Sequence, residues 1–256
     1  MKYVSINKEK CIGCGKCVND CVSEKIKLVN GKAEYMYERC IECGHCYAVC
    51  PVNAVTMENF RDYESEEAFN FTEIDSDNLL SAMKSRRTIR RFTDKTVSTE
   101  DIEKIIEAGR YCPTGTNSQD FAFTVLRKTA SEIEEDCVKV FRFLKNSATP
   151  LSKYLKNMTI DDNFFFKGST AVIIVSGKGN TSSCLASSYM ELMASSLGIG
   201  VLYSGFFVAA AKLNPKIRKK LCLPKGHSPV TCLVLGYPDI KYKRIPPRKK
   251  AEIRYL

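Results

Sequence analysis

The sequence predicts an α+β chain in two unequal parts: a small cysteine-rich module over residues 1–60 and a larger helix-and-strand body over residues 79–256. Three observations carry this prediction. Eight of the thirteen cysteines stand within the first fifty residues, while the other five are scattered through the rest. From residue 79 onward, helix-periodic segments alternate with short apolar runs of strand length. The length of 256 residues exceeds the about 100–200 typical of one domain. A composition of 44% apolar and 27% charged residues fits a sizeable core and excludes a mainly disordered or collagen-like chain.

The module is an internal repeat. Glu9–Cys21 (EKCIGCGKCVNDC) recurs 29 residues later as Glu38–Cys50 (ERCIECGHCYAVC), with seven identities in thirteen positions. Each copy spaces its cysteines C-x2-C-x2-C-x3-C, so one tight loop can wrap three thiolates around one face of an iron–sulfur cluster. Zinc is the competing ligand, but structural zinc sites favour two separated pairs over a triplet. Gly15 and Gly44 recur between the second and third cysteines, where small residues let backbone N–H groups approach sulfur. Pro51 follows Cys50, whereas Val22 stands in that place after Cys21. Between the triplets, Ile26–Met36 reads as two short runs about Asn30-Gly31, a type I′ hairpin signal.

Over residues 1–60 the module resembles a bacterial two-cluster ferredoxin. In that pattern the fourth cysteine of each run ligates the other cluster. The resemblance therefore implies two [4Fe–4S] clusters, one on Cys11, Cys14, Cys17 and Cys50, the other on Cys40, Cys43, Cys46 and Cys21.

Residues 61–78 hold one arginine against seven acids and read as an acidic linker, with Ser76 or Asp77 capping a helix from about Leu79. Ser98–Asp101 opens a further helix that ends near Gly109. Phe121–Arg127 reads as a strand, Ser131–Lys145 as an amphipathic helix and Ala171–Ser176 as a buried strand. Ser182–Leu197 reads as a long, mostly apolar helix ended by Gly198–Gly205, and Val230–Tyr237 as a final core strand.

Three segments of this body have binding chemistry. Ser85–Phe92 (SRRTIRRF) is either a solvated helix face or a phosphate clamp, since guanidinium forks bind phosphate oxygens bidentately. Cys112–Gln119 (CPTGTNSQ) is either a turn or a set of amide and hydroxyl groups for a planar polar ligand. Gly198–Gly205 lacks the spacing of a dinucleotide fingerprint. In this order the segments resemble the nitroreductase family of FMN-dependent oxidoreductases over roughly residues 79–254. Arg86–Phe92 matches its RRS-x-R-x-F-like element, Pro113–Gln119 its P-S-x-x-N-x-Q loop and Leu197–Gly200 its L-G-[IL]-G turn. Gly236-Tyr237-Pro238 with the late Arg248 matches its tail.

The resemblance implies a mixed α/β sandwich that binds FMN. Arg86, Arg87, Arg90 and Arg248 would hold the phosphate and ribityl oxygens. Thr88 and Asn117 would hydrogen-bond the flavin with the help of Pro113, Thr114 and Gln119, and Ser204 and Gly205 would lie near the ring. Where relatives carry Gln-Pro-Trp this chain has Gln119-Asp120-Phe121, and it has Ser204 where many have an acid. The family is typically homodimeric, with FMN at the subunit interface.

Joining the parts, a flavin that accepts one or two electrons sits beside clusters that move one, so the chain reads as an FMN-dependent oxidoreductase. Its acceptor would be a small nitroaromatic, quinone or enone. Electrons would come from NAD(P)H or from a ferredoxin, and no side chain need act as a nucleophile. With only His45 and His227 available, a histidine-based triad is not expected. The five remaining cysteines, at 112, 137, 184, 222 and 232, read as buried apolar fillers. The net charge is +10, and residues 79–256 hold thirty basic against fifteen acidic groups. That surplus admits a nucleic-acid-binding iron–sulfur protein as an alternative, and a ferredoxin-type carrier with a vestigial partner domain is a second. Neither nucleic acid nor membrane is the expected partner. The opening MKYVSINKEKC has no apolar h-region, and the cysteines suit a reducing compartment, so a cytoplasmic location is expected.

Overall fold

The structure, a computed structural model, describes residues 3–36, 39–62, 73–147, 153 and 155–256. Its chain divides into two units, Met1–Glu73 with Gly115–Ser118, and Ile74–Thr114 with Gln119–Leu256.

In the first unit the sequence repeat becomes a structural one. Each cysteine triplet runs into a one-turn helix, α1 (Lys16–Asn19) and α2 (His45–Ala48). Strand β1 (Val4–Ile6) pairs antiparallel with β4 (Val55–Met57), which brings the two ends of the module together. Strands β2 (Ile26–Val29) and β3 (Lys32–Tyr35) form the expected hairpin. Its turn residues Asn30 and Gly31 both take positive φ, 50° and 75°, as a type I′ turn requires. Gly15 and Gly44 precede the two helices at φ 73° and 77°. A Cβ there would meet nothing nearer than 3.9 Å and 3.5 Å. The glycines therefore supply the left-handed turn that leads each triplet into its helix. Cys11, Cys17, Ile26, Ala33 and Ala54 form the buried core of the unit.

The second unit is built on a four-stranded antiparallel sheet, β5 (Phe121–Leu126), β6 (Ala171–Gly177), β7 (Gly200–Tyr203) and β8 (Ser228–Gly236), in the order β5-β6-β8-β7. Period-two alternation divides the buried side chains of β6 between two cores. Val172 and Ile174 join Phe141, Phe165, Phe207 and Ile217 on one face of the sheet. Ala171, Ile173 and Val175 join Ile102, Ile105, Met190 and Ala194 on the other. Helices α4 (Thr99–Arg110) and α6 (Asn180–Ser196) thus cover one face. The other is covered by α5 (Ala130–Lys145), α7 (Gly205–Leu213) and α8 (Pro215–Lys220). The result is the expected α/β sandwich, with the four described strands of the sheet pairing antiparallel. Glu134 of α5 is buried, and its Oε1 accepts hydrogen bonds from the backbone N–H groups of Phe165 and Phe166 at 2.8 and 2.7 Å. Burial raises its carboxyl above the ordinary value, against the lowering effect of those two bonds.

Several expected boundaries move. Helix α3 spans Ser76–Ser85, and its cap is Asp75, whose side chain accepts from the Asn78 N–H at 2.7 Å. The last residues of the acidic stretch are thus a helix start, because a carboxylate suits both the orphan N–H groups and the positive end of a helix. Residues 63–72 of that stretch lie outside the described residues. Ser98 caps α4 as expected, accepting from the Asp101 N–H at 3.0 Å. Residues 200–203 are not the end of the long helix but the edge strand β7, and Gly205 starts α7. Among the five scattered cysteines, Cys112, Cys137 and Cys232 are buried, whereas Cys184 and Cys222 are exposed and fill no core.

Candidate functional site

The cysteines assemble in two sets of four. Cys11, Cys14, Cys17 and Cys50 line one cavity, whose walls also include Ile6, Ala33, Val52 and Val55. Cys21, Cys40, Cys43 and Cys46 line a second, against Val4, Ile26, Tyr35 and Met57. In each set three cysteines come from one run and the fourth from the other. Backbone N–H groups point at four of the sulfurs: Ala33 at Cys11 (3.4 Å), Lys25 at Cys21, Glu42 at Cys40 and Ala54 at Cys50 (3.3 Å each). Such bonds favour thiolate over thiol, and the bond from Ala33 is the main reason the Cys11 thiol is held low. Burial and the neighbouring thiolates raise Cys17, and they push Cys46 up to about 11.

Four sulfurs that repel one another in an apolar hollow fit a cationic core in their midst. Among the described residues, no three Cys, His, Asp or Glu side chains converge as the ligands of a single ion would. Four cysteines around each cavity, three from one run and one from the other, fit a multi-iron core. His45 lies beside its cluster loop as a partner of Asp20, with Nδ1 at 3.3 Å from the carboxylate.

In the second unit, the arginine segment is fixed by two glycines. Gly200 opens β7 and Gly236 closes β8, and the two face each other in register. A Cβ on Gly200 would fall 2.4 Å from Ile89, and one on Gly236 would fall 2.6 Å from Phe92. These absent side chains let residues 88–92 cross the end of the sheet. Ile89 N–H donates to Val201 O at 3.0 Å, and Thr93 N–H to Tyr237 O at 2.9 Å. The L-G-I-G and G-Y-P motifs thus serve the arginines directly, although they are far away in sequence.

Beside this crossing lies an open cavity of about 270 Å³, lined among others by Arg86, Arg87, Glu191, Ser195, Lys241 and Tyr242. Arg86 Nη1 pairs with Glu191 Oε1 at 2.6 Å, and both side chains are largely covered. Arg87 Nη1 donates to Lys84 O at 2.8 Å and to Arg86 O, while its Nη2 is buried with no partner. Arg86, Arg87 and Lys241 bring three cationic side chains to the walls of one cavity, a lining that suits an anion. These residues fit the phosphate end of FMN.

Glu191 and Lys241 were missed in sequence. Glu191 is the one charged residue of α6, and a lone carboxylate in an apolar helix signals a cation partner.

The other expected residues are spread more widely. Thr88 is half-buried; its carbonyl accepts from Tyr242 OH at 3.5 Å. Arg90 is exposed and lies outside the cavity walls, as does Arg248, which sits in an exposed extended tail. Ser204 is buried, donates its N–H to Cys232 O at 2.9 Å and immediately precedes Gly205, the first residue of α7. In the 113–119 loop, Thr114 Oγ1 accepts from the Gln119 N–H at 3.2 Å, and Pro113 is exposed. Thr116, Asn117 and Gln119 all hold left-handed φ of 45–53° without being glycine. Strain of this kind persists where the surroundings enforce it, and it gathers at binding sites. Asn117 belongs with the first unit, where its Nδ2 donates to Glu42 O at 2.7 Å.

Comparison with known proteins agrees with both halves. Residues 3–51 match the 4Fe-4S dicluster domain. A protein of Archaeoglobus fulgidus, named for NADH dehydrogenase or NAD(P)H nitroreductase activity, is 28% identical over 171 residues, covering 62% of this chain and 84% of the relative. A protein of Methanothermobacter thermautotrophicus with the same name is 26% identical over 168 residues, covering 62% of this chain and 77% of the relative. Among solved structures, a nitroreductase from Desulfitobacterium hafniense with bound FMN shares the fold. Its TM-score is 0.59 at 21% identity, over 72% of this chain and all of that one. One from Bacteroides fragilis gives a TM-score of 0.57 at 22% identity, over 69% of this chain and 98% of its own. The Nitroreductase family model spans residues 83–237, from before the arginine segment to the tyrosine after β8, and so the chain belongs to the nitroreductase family.

Proposed function

We propose that this chain is an FMN-dependent oxidoreductase in which two [4Fe–4S] clusters exchange single electrons with the flavin, for reduction of a small nitroaromatic, quinone or enone. The observation that carries this reading is the pairing, in one chain, of two four-cysteine cavities with a nitroreductase fold that holds an unpartnered arginine nitrogen. When bound, FMN accepts electrons singly or in pairs and delivers hydride, and each cluster moves one electron. Cys11, Cys14, Cys17 and Cys50 hold one cluster, and Cys21, Cys40, Cys43 and Cys46 the other.

Arg87 takes a phosphate oxygen at its free nitrogen. Arg86, steadied by Glu191, supplies a second cation, and Thr88 and Arg90 extend the same strip. Ser204 and Gly205 present backbone groups to the ring, while Pro113, Thr114, Asn117 and Gln119 add polar contacts. The printed names of the two archaeal relatives favour NADH or NADPH as the electron source, and the cluster module favours a ferredoxin-type donor.

The cavity beside Arg86 and Arg87 is open, and a second copy of the chain would complete it as an FMN site. In keeping with this, α3 leaves Leu79, Leu80 and Met83 exposed at 39–46%. Arg248, in the exposed extended tail after Tyr237, would reach the partner's FMN. Homodimerisation is tested by light scattering of the full chain. A monomer that retains FMN contradicts it.

The experiment for the whole reading is cofactor analysis of anaerobically purified protein. Acid extraction should release FMN together with about eight iron atoms per chain. A chain with iron and no flavin is a carrier and not this enzyme.

A further inference from the structure

The repeat of the first unit reaches beyond its cysteines, and it makes the two cavities comparable residue for residue. The offset of 29 carries Val4–Ile6 of β1 onto Ala33–Tyr35 of β3. It likewise carries Ile26–Leu28 of β2 onto Val55–Met57 of β4. The registers correspond as well: Ile6 faces Val55 as Tyr35 faces Ile26, and Val4 faces Met57 as Ala33 faces Leu28. The backbone bonds to the two exchanged ligands repeat too, from Ala54 N–H to Cys50 Sγ and from Lys25 N–H to Cys21 Sγ, both 3.3 Å. Two sites so alike hold clusters of equal character unless a wall residue separates them.

Tyr35 is such a residue. Ile6 lines the cavity of Cys11, Cys14, Cys17 and Cys50, and its counterpart Tyr35 lines that of Cys21, Cys40, Cys43 and Cys46. Both pack against the core of the unit, so the aromatic ring takes over the isoleucine's place in the wall and the hydroxyl is an addition. The Tyr35 oxygen is buried, and no described group meets it in hydrogen-bond geometry, although the Cys40 thiol is close enough to act on it. A phenol in an apolar hollow ordinarily finds an acceptor. Ser23 also stands where Val52 does, but among the described residues only the Tyr35 hydroxyl is buried without a partner in this unit. Lysines border both cavities, Lys16 the first and Lys25 the second, so cationic charge does not divide the sites.

We infer that the buried Tyr35 hydroxyl donates a hydrogen bond to a sulfur of the cluster held by Cys21, Cys40, Cys43 and Cys46, and so raises the midpoint potential of that cluster above that of its twin. The inference rests on the cluster assignment and not on the relay to the flavin. Reduction by one electron adds one negative charge to a cluster, and a hydrogen bond to sulfur is stronger in the more negative form. The phenol keeps its proton through the change, so no proton is taken up or released. At the other cavity the Ile6 side chain has no donor to offer. An electron given to the module by a one-electron donor therefore comes to rest on the Tyr35 side, and the second electron enters the other cluster at a lower potential. Tyr35 tunes the cluster and ligates no iron.

The test is a redox titration of the full, anaerobically purified chain with dithionite, followed by electron paramagnetic resonance. The parent should show two one-electron waves. Tyr35→Phe keeps the ring and removes only the hydroxyl, and it should lower the upper wave alone. The reduced-to-oxidised ratio of that cluster at a fixed potential should fall about tenfold, the equivalent of about 59 mV for one electron. Cys14→Ala retains the Tyr35 cluster and Cys43→Ala retains the other. Adding Tyr35→Phe should move the remaining wave in Cys14→Ala and leave it in place in Cys43→Ala. Pulsed resonance of the parent in deuterium oxide gives a reading that needs no cysteine variant: an exchangeable deuteron coupled to the upper-wave cluster should vanish in Tyr35→Phe. Unmoved waves in Tyr35→Phe, equal movement of both, or movement in the Cys43→Ala background overturns the tuning while the clusters stand. Purified parent without iron overturns the cluster assignment and the tuning with it.

Discussion

Arg87 is the residue whose bonding most clearly asks for a ligand, since it buries a charged nitrogen that no described group meets. A buried unsatisfied donor costs about 1–3 kcal/mol, which an incoming phosphate oxygen would restore. Arg87→Ala should therefore weaken FMN retention at least about tenfold, the equivalent of 1.4 kcal/mol, with cluster absorbance unchanged. Flavin content against added FMN measures this, and full occupancy in Arg87→Ala would contradict the clamp. Glu134 is the converse case, a buried carboxylate already satisfied. Its folded-state value is raised above the ordinary 4.5, so the folded chain holds this proton more tightly than the unfolded chain. Its contribution to stability then falls as pH rises through the range above 4.5. Glu134→Gln keeps an oxygen for both backbone N–H groups without the charge, and it should match or exceed the parent in urea denaturation at pH 7. Glu134→Ala strands both groups and should lose about 1–3 kcal/mol. The scattered thiols separate in the same way: burial pushes Cys137 up to about 12 and raises Cys232 well above its ordinary value. A thiol reagent should label exposed Cys184 and Cys222 first and reach Cys137 and Cys232 only on unfolding.

Among the elements, those with strong local signals were legible in the sequence, and those defined by a distant neighbour were not. Ser98 with Asp101 specified the start of α4, and Asn30-Gly31 specified the β2–β3 turn, because a cap and a type I′ turn are set within four residues. Helix α7 (GFFVAAAKL) is apolar nearly all round, so it has no periodic face to read. Strand β7 is four residues whose identity depends on pairing with β8. The role of Gly200 was hidden for the same reason, since it exists to seat Ile89, more than a hundred residues earlier. The arginine segment itself was visible as a charge cluster, whereas Glu191 and Lys241 line the same cavity only because α6 and the tail meet it. Two predictions belong here. Ser98→Ala should cost about 1 kcal/mol of stability through the lost cap of α4. Gly200→Ala should cost about 1–3 kcal/mol through overpacking against Ile89 and should also loosen FMN, because the strip bearing Arg86 and Arg87 is displaced. Thermal melts with and without added FMN separate the two effects, and an unshifted melt for Gly200→Ala would show that the glycine does not seat the strip.

For the molecule as a whole, cysteine spacing alone pointed to two clusters, and the folded module places three cysteines of one run with one of the other around each cavity. The separation of the eight repeat cysteines from the five scattered ones was likewise legible, because four cysteines repeated at fixed intervals have few other uses. The second unit required the fold, because a cavity lined from the end of α3, from α6 and from the tail has no contiguous signature. Among the described residues no helix is long and apolar enough to cross a membrane. The central claim is that the clusters and FMN of this chain exchange electrons without leaving the protein. Flash reduction of the clusters in the unaltered, fully loaded protein tests it most directly. The account predicts cluster bleaching followed by flavin bleaching at a first-order rate that does not change when the protein is diluted. Flavin that stays oxidised while the clusters remain reduced, or a rate that falls in proportion to dilution, would contradict it.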